Sequence, residues 1–373
     1  MSGPRIEADL VKLRHNARIV VERLKAQGIS VSAVTKAVCG EPAIAQAMLE
    51  GGAANLADAR LRNVRKLRKA GITCPITLLR TPMLSQTNEV VTLCEASYNT
   101  EIAVISALAA AAIRCGTVHN VILMVEMGDL REGIMPKNLP NVVQQVEDMP
   151  GVILAGIGAN FACLSGIPPD AAKMRALSRL ASATERQCAR PLQTISGGNS
   201  ATLPWALSGT SAGRINNLRI GEAILLGVAP VSGDRINGLF TDAFTLVAEV
   251  IETDTKPASP VNNMTDPAWL RDRFTRASEN GRRLIIALGH QDTDVSGLAM
   301  PAGYGLVGVT SDHLVVSTTD ASLEVGSKVS FQMNYSAFMR AMAAPDIETI
   351  LLHDIRAGHA RDGEAFGKQL VHV

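Results

Sequence analysis

The architecture this 373-residue chain predicts is an N-terminal (β/α)8 barrel of the TIM type, followed by a mainly β C-terminal domain. Two observations carry the prediction. Apolar, β-rich runs alternate with helical runs eight times, and strict alternation makes a parallel sheet. Near residue 236 the texture changes to short strands separated by turn signals. An open doubly wound sheet is the competing arrangement. Eight units without a dinucleotide fingerprint favour closure into a barrel of about 250 residues. The lone Gly156-Ile157-Gly158 supplies no such fingerprint. The predicted boundaries are 1–235 for the barrel and 236–373 for the β domain, with residues 1–8 free to pair with the latter.

Asp9 can cap a first helix, in which Leu10, Leu13, Ala17, Val20, Val21 and Leu24 recur at helical spacing up to Gln27-Gly28. The eight strand-like runs end near Lys36, near Asp58, at Leu78-Leu79-Arg80 and near Tyr98-Asn99. They continue with Val121–Glu126, Ile153–Phe161, Thr194-Ile195-Ser196 and Leu218-Arg219-Ile220. Helical stretches lie between them, among them Glu101–Cys115 and Ala171–Cys188. Beyond Leu239 the short strands are Thr245–Val250, Leu284–Leu288, Gly305–Val309, Leu314–Val316 and Lys328–Gln332. Residues 254–268, rich in Asp, Thr, Pro and Asn, read as a loop. The tail from Ala337 carries helical patches and charge that pattern alone does not place.

Hydrophobic residues make up 47% and charged residues 19%, enough to bury two cores. A net charge of +1 without a basic block argues against a nucleic-acid surface, and 3% aromatic content argues against base-stacking platforms. No apolar run reaches the roughly 18 residues of a membrane span, and Met1–Glu7 resembles no signal segment. The six cysteines form no CxxC pair and read as reduced thiols of a cytoplasmic protein. The seven histidines show no metal-ligand spacing, so no metal is expected.

In a barrel the chemistry sits at the C-terminal ends of the strands. Ile29–Lys36 is a β-branched run that closes on a lysine with no adjacent carboxylate. Either that ammonium snorkels to solvent, or it loses hydration, titrates low and becomes a nucleophile suited to imine formation. Arg131 follows the fifth run, Asn160-Phe161 ends the sixth, and Arg219-Ile220-Gly221-Glu222 ends the eighth. Ser196-Gly197-Gly198-Asn199-Ser200 follows the seventh. It is either a glycine turn with a helix cap or a cradle for an anion, placed where barrels often bind phosphate. A lysine facing a phosphate site suggests pyridoxal 5′-phosphate.

The ordered set Val34-Thr35-Lys36, Gly128–Gly133, Ala159–Ala162, Asn199-Ser200-Ala201 and Leu218–Ala223 resembles the alanine racemase family of fold-type III pyridoxal-phosphate enzymes. It is similar to the ornithine racemase branch through Thr35–Gly40, Ile195–Ser200 and Leu218–Gly227. The resemblance spans about residues 5–340. It implies that Lys36 forms the imine with the cofactor and serves as one proton-transfer base. Arg219 then hydrogen-bonds the pyridine nitrogen. Because arginine keeps its proton, that arrangement favours proton exchange over decarboxylation. Ser200 and Gly221 match phosphate ligands, with Ser196 and Asn199 in the same loop. Asn160 stands where alanine enzymes stack a histidine on the ring. Arg131 matches the arginine that orients cofactor oxygen and substrate carboxylate.

Two departures are plain. Met124 stands where the family carries a carbamylated lysine, and Val38-Cys39 where it has a tyrosine. A third concerns the opposite face of the substrate. There the family uses a tyrosine from the partner subunit's β domain; here His290 holds that position, with Asp292 and Tyr335 as further candidates. Ser311-Asp312 matches the segment that contacts the neighbour's substrate carboxylate, and Tyr335 could also reach the phosphate. The implied protein is a homodimer with shared active sites, racemising a free amino acid, ornithine or another basic one. Asp129, Asp292 and Asp294 are the acids available to meet a side-chain ammonium. Two rivals stay open. One is a fold-type III decarboxylase, opposed by Arg219 and kept open by Glu222. The other is a non-catalytic pyridoxal-phosphate-binding homeostasis protein.

Overall fold

The computed structural model describes residues 3–256, 281–353 and 369–372. The chain divides into two units, Lys12–Thr241 and Met1–Val11 with Asp242–Val373.

Strand β1 (Arg5–Asp9) belongs to the second unit and is followed at once by helix α1 (Leu10–Lys25). The Asp9 carboxylate accepts a hydrogen bond from Val11 N at 3.1 Å, which is the expected cap. Leu13, Ala17, Val20 and Leu24 are buried along one stripe of α1. Each large aliphatic so buried contributes about 2 kcal/mol. Gly28 ends the run at φ +73°.

Eight parallel strands then alternate with helices: β2 (Ser30–Val34), α2 (Pro42–Glu50), β3 (Asn55–Asp58), α3 (Leu61–Lys69), β4 (Ile76–Leu78), α4 (Thr87–Leu93), β5 (Ala96–Asn99), α5 (Ile102–Arg114), β6 (His119–Val125), α6 (Leu139–Glu147), β7 (Val152–Ala159), α7 (Ala171–Cys188), β8 (Thr194–Ser196), α8 (Leu203–Ala206), β9 (Asn217–Ile220) and α9 (Glu222–Leu226). The eight strands form a closed barrel. All the predicted strand runs are present. Closure comes from β2 against β9, in parallel register from Ser30↔Asn217 to Ala33↔Ile220. The thinnest seam is β8–β9, where only Ser196↔Asn217 pair; the Ser196 hydroxyl reinforces it by donating to Asn217 Oδ1 at 2.9 Å.

Strands buried on both faces read as continuous apolar runs, and β6 does. Tyr98, Ile122, Met124 and Ala155 cluster in the interior. Gly158 leaves them room: a Cβ there would stand 3.1 Å from the Tyr98 ring and 3.4 Å from Arg219 Nη1. That glycine serves packing, not nucleotide binding.

In the second unit, strands β10 (Phe244–Lys256), β11 (Gly281–Ala287), β12 (Leu298–Ala299), β13 (Tyr304–Val309), β14 (His313–Thr318), β15 (Lys328–Met333), β16 (Glu348–His353) and β17 (Gln369–His372) join β1 in one sheet, with α10 (Tyr335–Ala341) alongside. Its pairs are antiparallel except β1–β16. Phe244 and Phe338 meet at 4.5 Å between ring centroids in its core. One expectation is corrected here. Asp254–Lys256 extend β10 instead of opening a loop, because they pair with Gly281–Arg283; 257–268 lie outside the described residues. The described part of the tail, which pattern alone does not place, supplies most of α10 and then β16, held by β1.

Candidate active site

Strand β2 stops at Val34, two residues short of the predicted end. Lys36 opens a single 3-10 turn, Lys36–Val38, which Cys39 closes at φ +50°. The turn is held from below. Thr35 Oγ1 donates to Asp58 Oδ2 at 2.7 Å, while Asp58 Oδ1 accepts from Asn63 Nδ2 at 3.0 Å and Arg60 N at 2.9 Å. Burial pushes the Asp58 carboxyl up, against the pull of these bonds. Lys36 is reachable by solvent at the barrel mouth yet hemmed in by protein. Loss of hydration therefore lowers its pKa; Arg131 and Arg219 push the same way, and Cys163 and Asp58 oppose.

Arg219, only 5% exposed, stands across the mouth at the end of β9. Nη1 donates to Ser196 Oγ at 2.5 Å; Nη2 donates to Ala159 O at 2.8 Å and Asn160 Oδ1 at 2.6 Å. The Tyr98 ring lies 4.7 Å from the guanidinium carbon. The network continues from Ser196 through Asn217 to the Ser32 hydroxyl at 2.9 Å. None of the Arg219 hydrogen bonds among the described residues uses Nε.

The β8–α8 loop carries Asn199 and Ser200. Asn199 Oδ1 caps a 3-10 turn at Ala201 N (2.8 Å), and its Nδ2 reaches Phe161 O and Cys163 Sγ. Gly198 sits at φ +113°, where a side chain would meet Thr202 Oγ1 at 2.6 Å. Ser200 Oγ accepts from Gly221 N and Ala223 N, both at 3.3 Å, which joins the two loops read as the phosphate cradle.

Arg131, exposed in the β6–α6 loop, pairs with Glu132, which holds its pKa above the ordinary arginine value. Asp129 Oδ1 accepts from the amides of Cys163, Leu164 and Ser165. Met124 is buried in the apolar interior. Glu222 lies beside Lys36, and burial raises its carboxyl from 4.5 to about 7, against the pull of Lys36. A carboxyl raised on folding stabilises most below its unfolded pKa and loses that contribution as pH rises through the folded value. Wild type should therefore lose about 2 kcal/mol relative to Glu222→Gln between pH 4.5 and 7, allowing for partial exposure. Urea midpoints of both proteins across that range test this; parallel curves would remove the shift.

The remaining candidates lie in the β unit. Gly289 N donates to Asp292 Oδ2 at 2.8 Å, and His290 N and Gln291 N donate to Thr310 O and Ser311 O, both at 3.0 Å. Ser311 Oγ donates to Asp312 Oδ2 at 2.8 Å. His290, Asp292, Ser311 and Asp312 thus share one loop cluster, with His290 exposed. Burial raises the Asp292 carboxyl, and Asp312 and Asp346 add to the effect. Tyr335 opens α10, whose Ala337 O accepts from Thr293 Oγ1 of the same cluster at 2.9 Å. Asp294 is engaged by the Ser296 and Ser336 hydroxyls.

Sequence reading missed Tyr98, Asp58, Glu132 and Cys163. Tyr98 carried a signal, as the only tyrosine before residue 300. The others read as ordinary loop residues. Among the described residues no helix is long and apolar enough to cross a membrane.

The sequence profile of the alanine racemase N-terminal domain matches residues 8–230. The ornithine racemase of Acetoanaerobium sticklandii is 32% identical over 94% of this chain and 99% of its own length. The lysine racemase of Thermotoga maritima is 33% identical, also over 94% of this chain and 99% of its own. The alanine racemase of Bacillus anthracis superposes with a TM-score of 0.74 at 18% identity, covering 100% of this chain and 98% of that one, and so shares the fold. The chain belongs to the alanine racemase family and is an enzyme of its racemase class.

Proposed function

We propose that the protein interconverts the L and D forms of a free basic amino acid, ornithine or lysine, with pyridoxal 5′-phosphate as cofactor. The observation that carries the reading is an accessible Lys36 facing a buried Arg219, whose two Nη atoms are both engaged, across one barrel mouth. The donor set fits the cofactor: an accessible amine, a guanidinium, and a serine hydroxyl between two glycine-bearing loops. When bound, the cofactor supplies an electron sink that acidifies the amino acid's Cα–H.

Lys36, less basic than an ordinary lysine, would hold the cofactor and would take or return the proton on one face. Arg219 would face the ring nitrogen and keep its own proton, which would leave the sink weak. Arg131 meets the substrate carboxylate. The opposite face needs a second acid–base group, and His290, Asp292 and Tyr335 are the candidates. Their loop cluster would serve a second copy of the chain, making the working form a homodimer with shared sites. The choice of a basic substrate rests on the two full-length relatives.

Incubation with single L-enantiomers of ornithine, lysine, arginine, alanine and serine, followed by chiral chromatography, tests the reading. D-ornithine or D-lysine should form fastest. Carbon dioxide release would establish the decarboxylase instead, and no enantiomer from any substrate would favour a cofactor-binding protein.

A further inference from the structure

A continuous chain of charge-assisted bonds runs from Arg131 to Arg219. The carboxylate of Glu132 accepts both Nε and Nη2 of Arg131, the latter at 2.6 Å. The same Glu132 Oε1 accepts from Asn160 Nδ2 at 2.6 Å. Asn160 Oδ1 in turn accepts from Arg219 Nη2 at 2.6 Å. Asn160 is 8% exposed, and its amide has one workable orientation. Its carbonyl must face the guanidinium and its NH2 the carboxylate; a flip would set like polarities against each other at both ends.

An exposed Arg–Glu pair alone contributes little. This one is different because its loop is closed. Ile134 N donates to Met124 O at 2.8 Å and Glu126 N to Ile134 O at 3.0 Å, so the loop returns to the end of β6. Glu126 Oε1 takes the amides of Gly128 and Leu130. Asp129 ties the loop to its neighbour at Cys163–Ser165. Glu132 is thus aimed by a rigid frame.

We propose that Glu132 is a positioning residue: through Asn160 it locks the arginine assigned to the substrate carboxylate to the arginine assigned to the cofactor ring. The inference rests on the racemase reading for the roles of the two arginines, while the lock itself is a property of the protein alone. Because the carboxylate contact persists from bound substrate to transition state, its loss falls on KM and not on kcat.

The test is Glu132→Gln, which keeps an acceptor for Asn160 but sets an amide against the Arg131 fork. KM for the best amino acid should rise tenfold or more, with kcat within threefold. Independently of activity, phenylglyoxal modification of Arg131, mapped by mass spectrometry, should accelerate about tenfold while other arginine peptides keep their rates. Unchanged Arg131 reactivity, or a raised reactivity with unchanged KM, would overturn the proposal. If no amino acid is racemised but Arg131 is still deprotected, the lock stands and the racemase reading fails. Should Glu132→Gln not fold, Asn160→Ala cuts the same chain one link later and must also deprotect Arg131.

Discussion

Lys36→Ala should bind no cofactor covalently. After incubation with pyridoxal 5′-phosphate and borohydride reduction, wild type should gain the cofactor's mass on one peptide, and the variant none. Racemisation should fall by about 10⁴-fold, since the change removes both the covalent anchor and one general base. A variant that still traps the cofactor would refute the assignment. The same change should also raise the melting temperature of the cofactor-free protein. A lysine whose pKa is depressed on folding opposes folding at neutral pH, and the alanine does not. On the proposed role the turn that holds Lys36 would trade stability for reactivity; Asp58 beneath Thr35 holds the turn through its hydrogen bond.

Arg219→Ala should cost both stability and activity. It strips donors from Ser196, Asn160 and Ala159 O and leaves a gap under the Tyr98 ring. Three buried acceptors lose their partner at once, a loss of about 3 kcal/mol. Denaturant midpoints would read it, and racemisation should drop about 10³-fold. Arg219→Lys should recover part of the stability but little of the rate, because an ammonium cannot hold several acceptors with the geometry of a fork. A stable, active Arg219→Ala protein would show that the guanidinium supports neither the fold nor the reaction.

The barrel was legible because its strands are buried on both faces and write themselves as apolar runs; Val121–Val125 is the clearest case. Lys36 drew notice because a charge closing such a run is conspicuous, and Arg219 because the family resemblance matched it. Glu132 and Asp58 were not. Nothing in Arg131-Glu132-Gly133 says that the glutamate meets an asparagine 28 residues away, and Asp58 matters only because Thr35 stands above it. The tail was unplaced because β16 finds its partner in β1, at the other end of the chain, and no local pattern announces so distant a pairing. Cys39 and Cys163 gave no signal either, since both read as isolated thiols.

That distant pairing has a consequence for how the protein is made. Strand β1 is made before the barrel, and its two partners, β10 and β16, come after the whole of it. The nascent chain must therefore carry an orphan edge while Lys12–Thr241 assembles. Unpaired edges invite wrong partners, and charge is a common guard against them. Arg5-Ile6-Glu7-Ala8-Asp9 places a charge at every second position, and the Arg5–Glu7 pair closes at 2.7 Å on the face that stays toward solvent. The segment that waits longest for its partners is thus the one whose sequence best discourages substitutes.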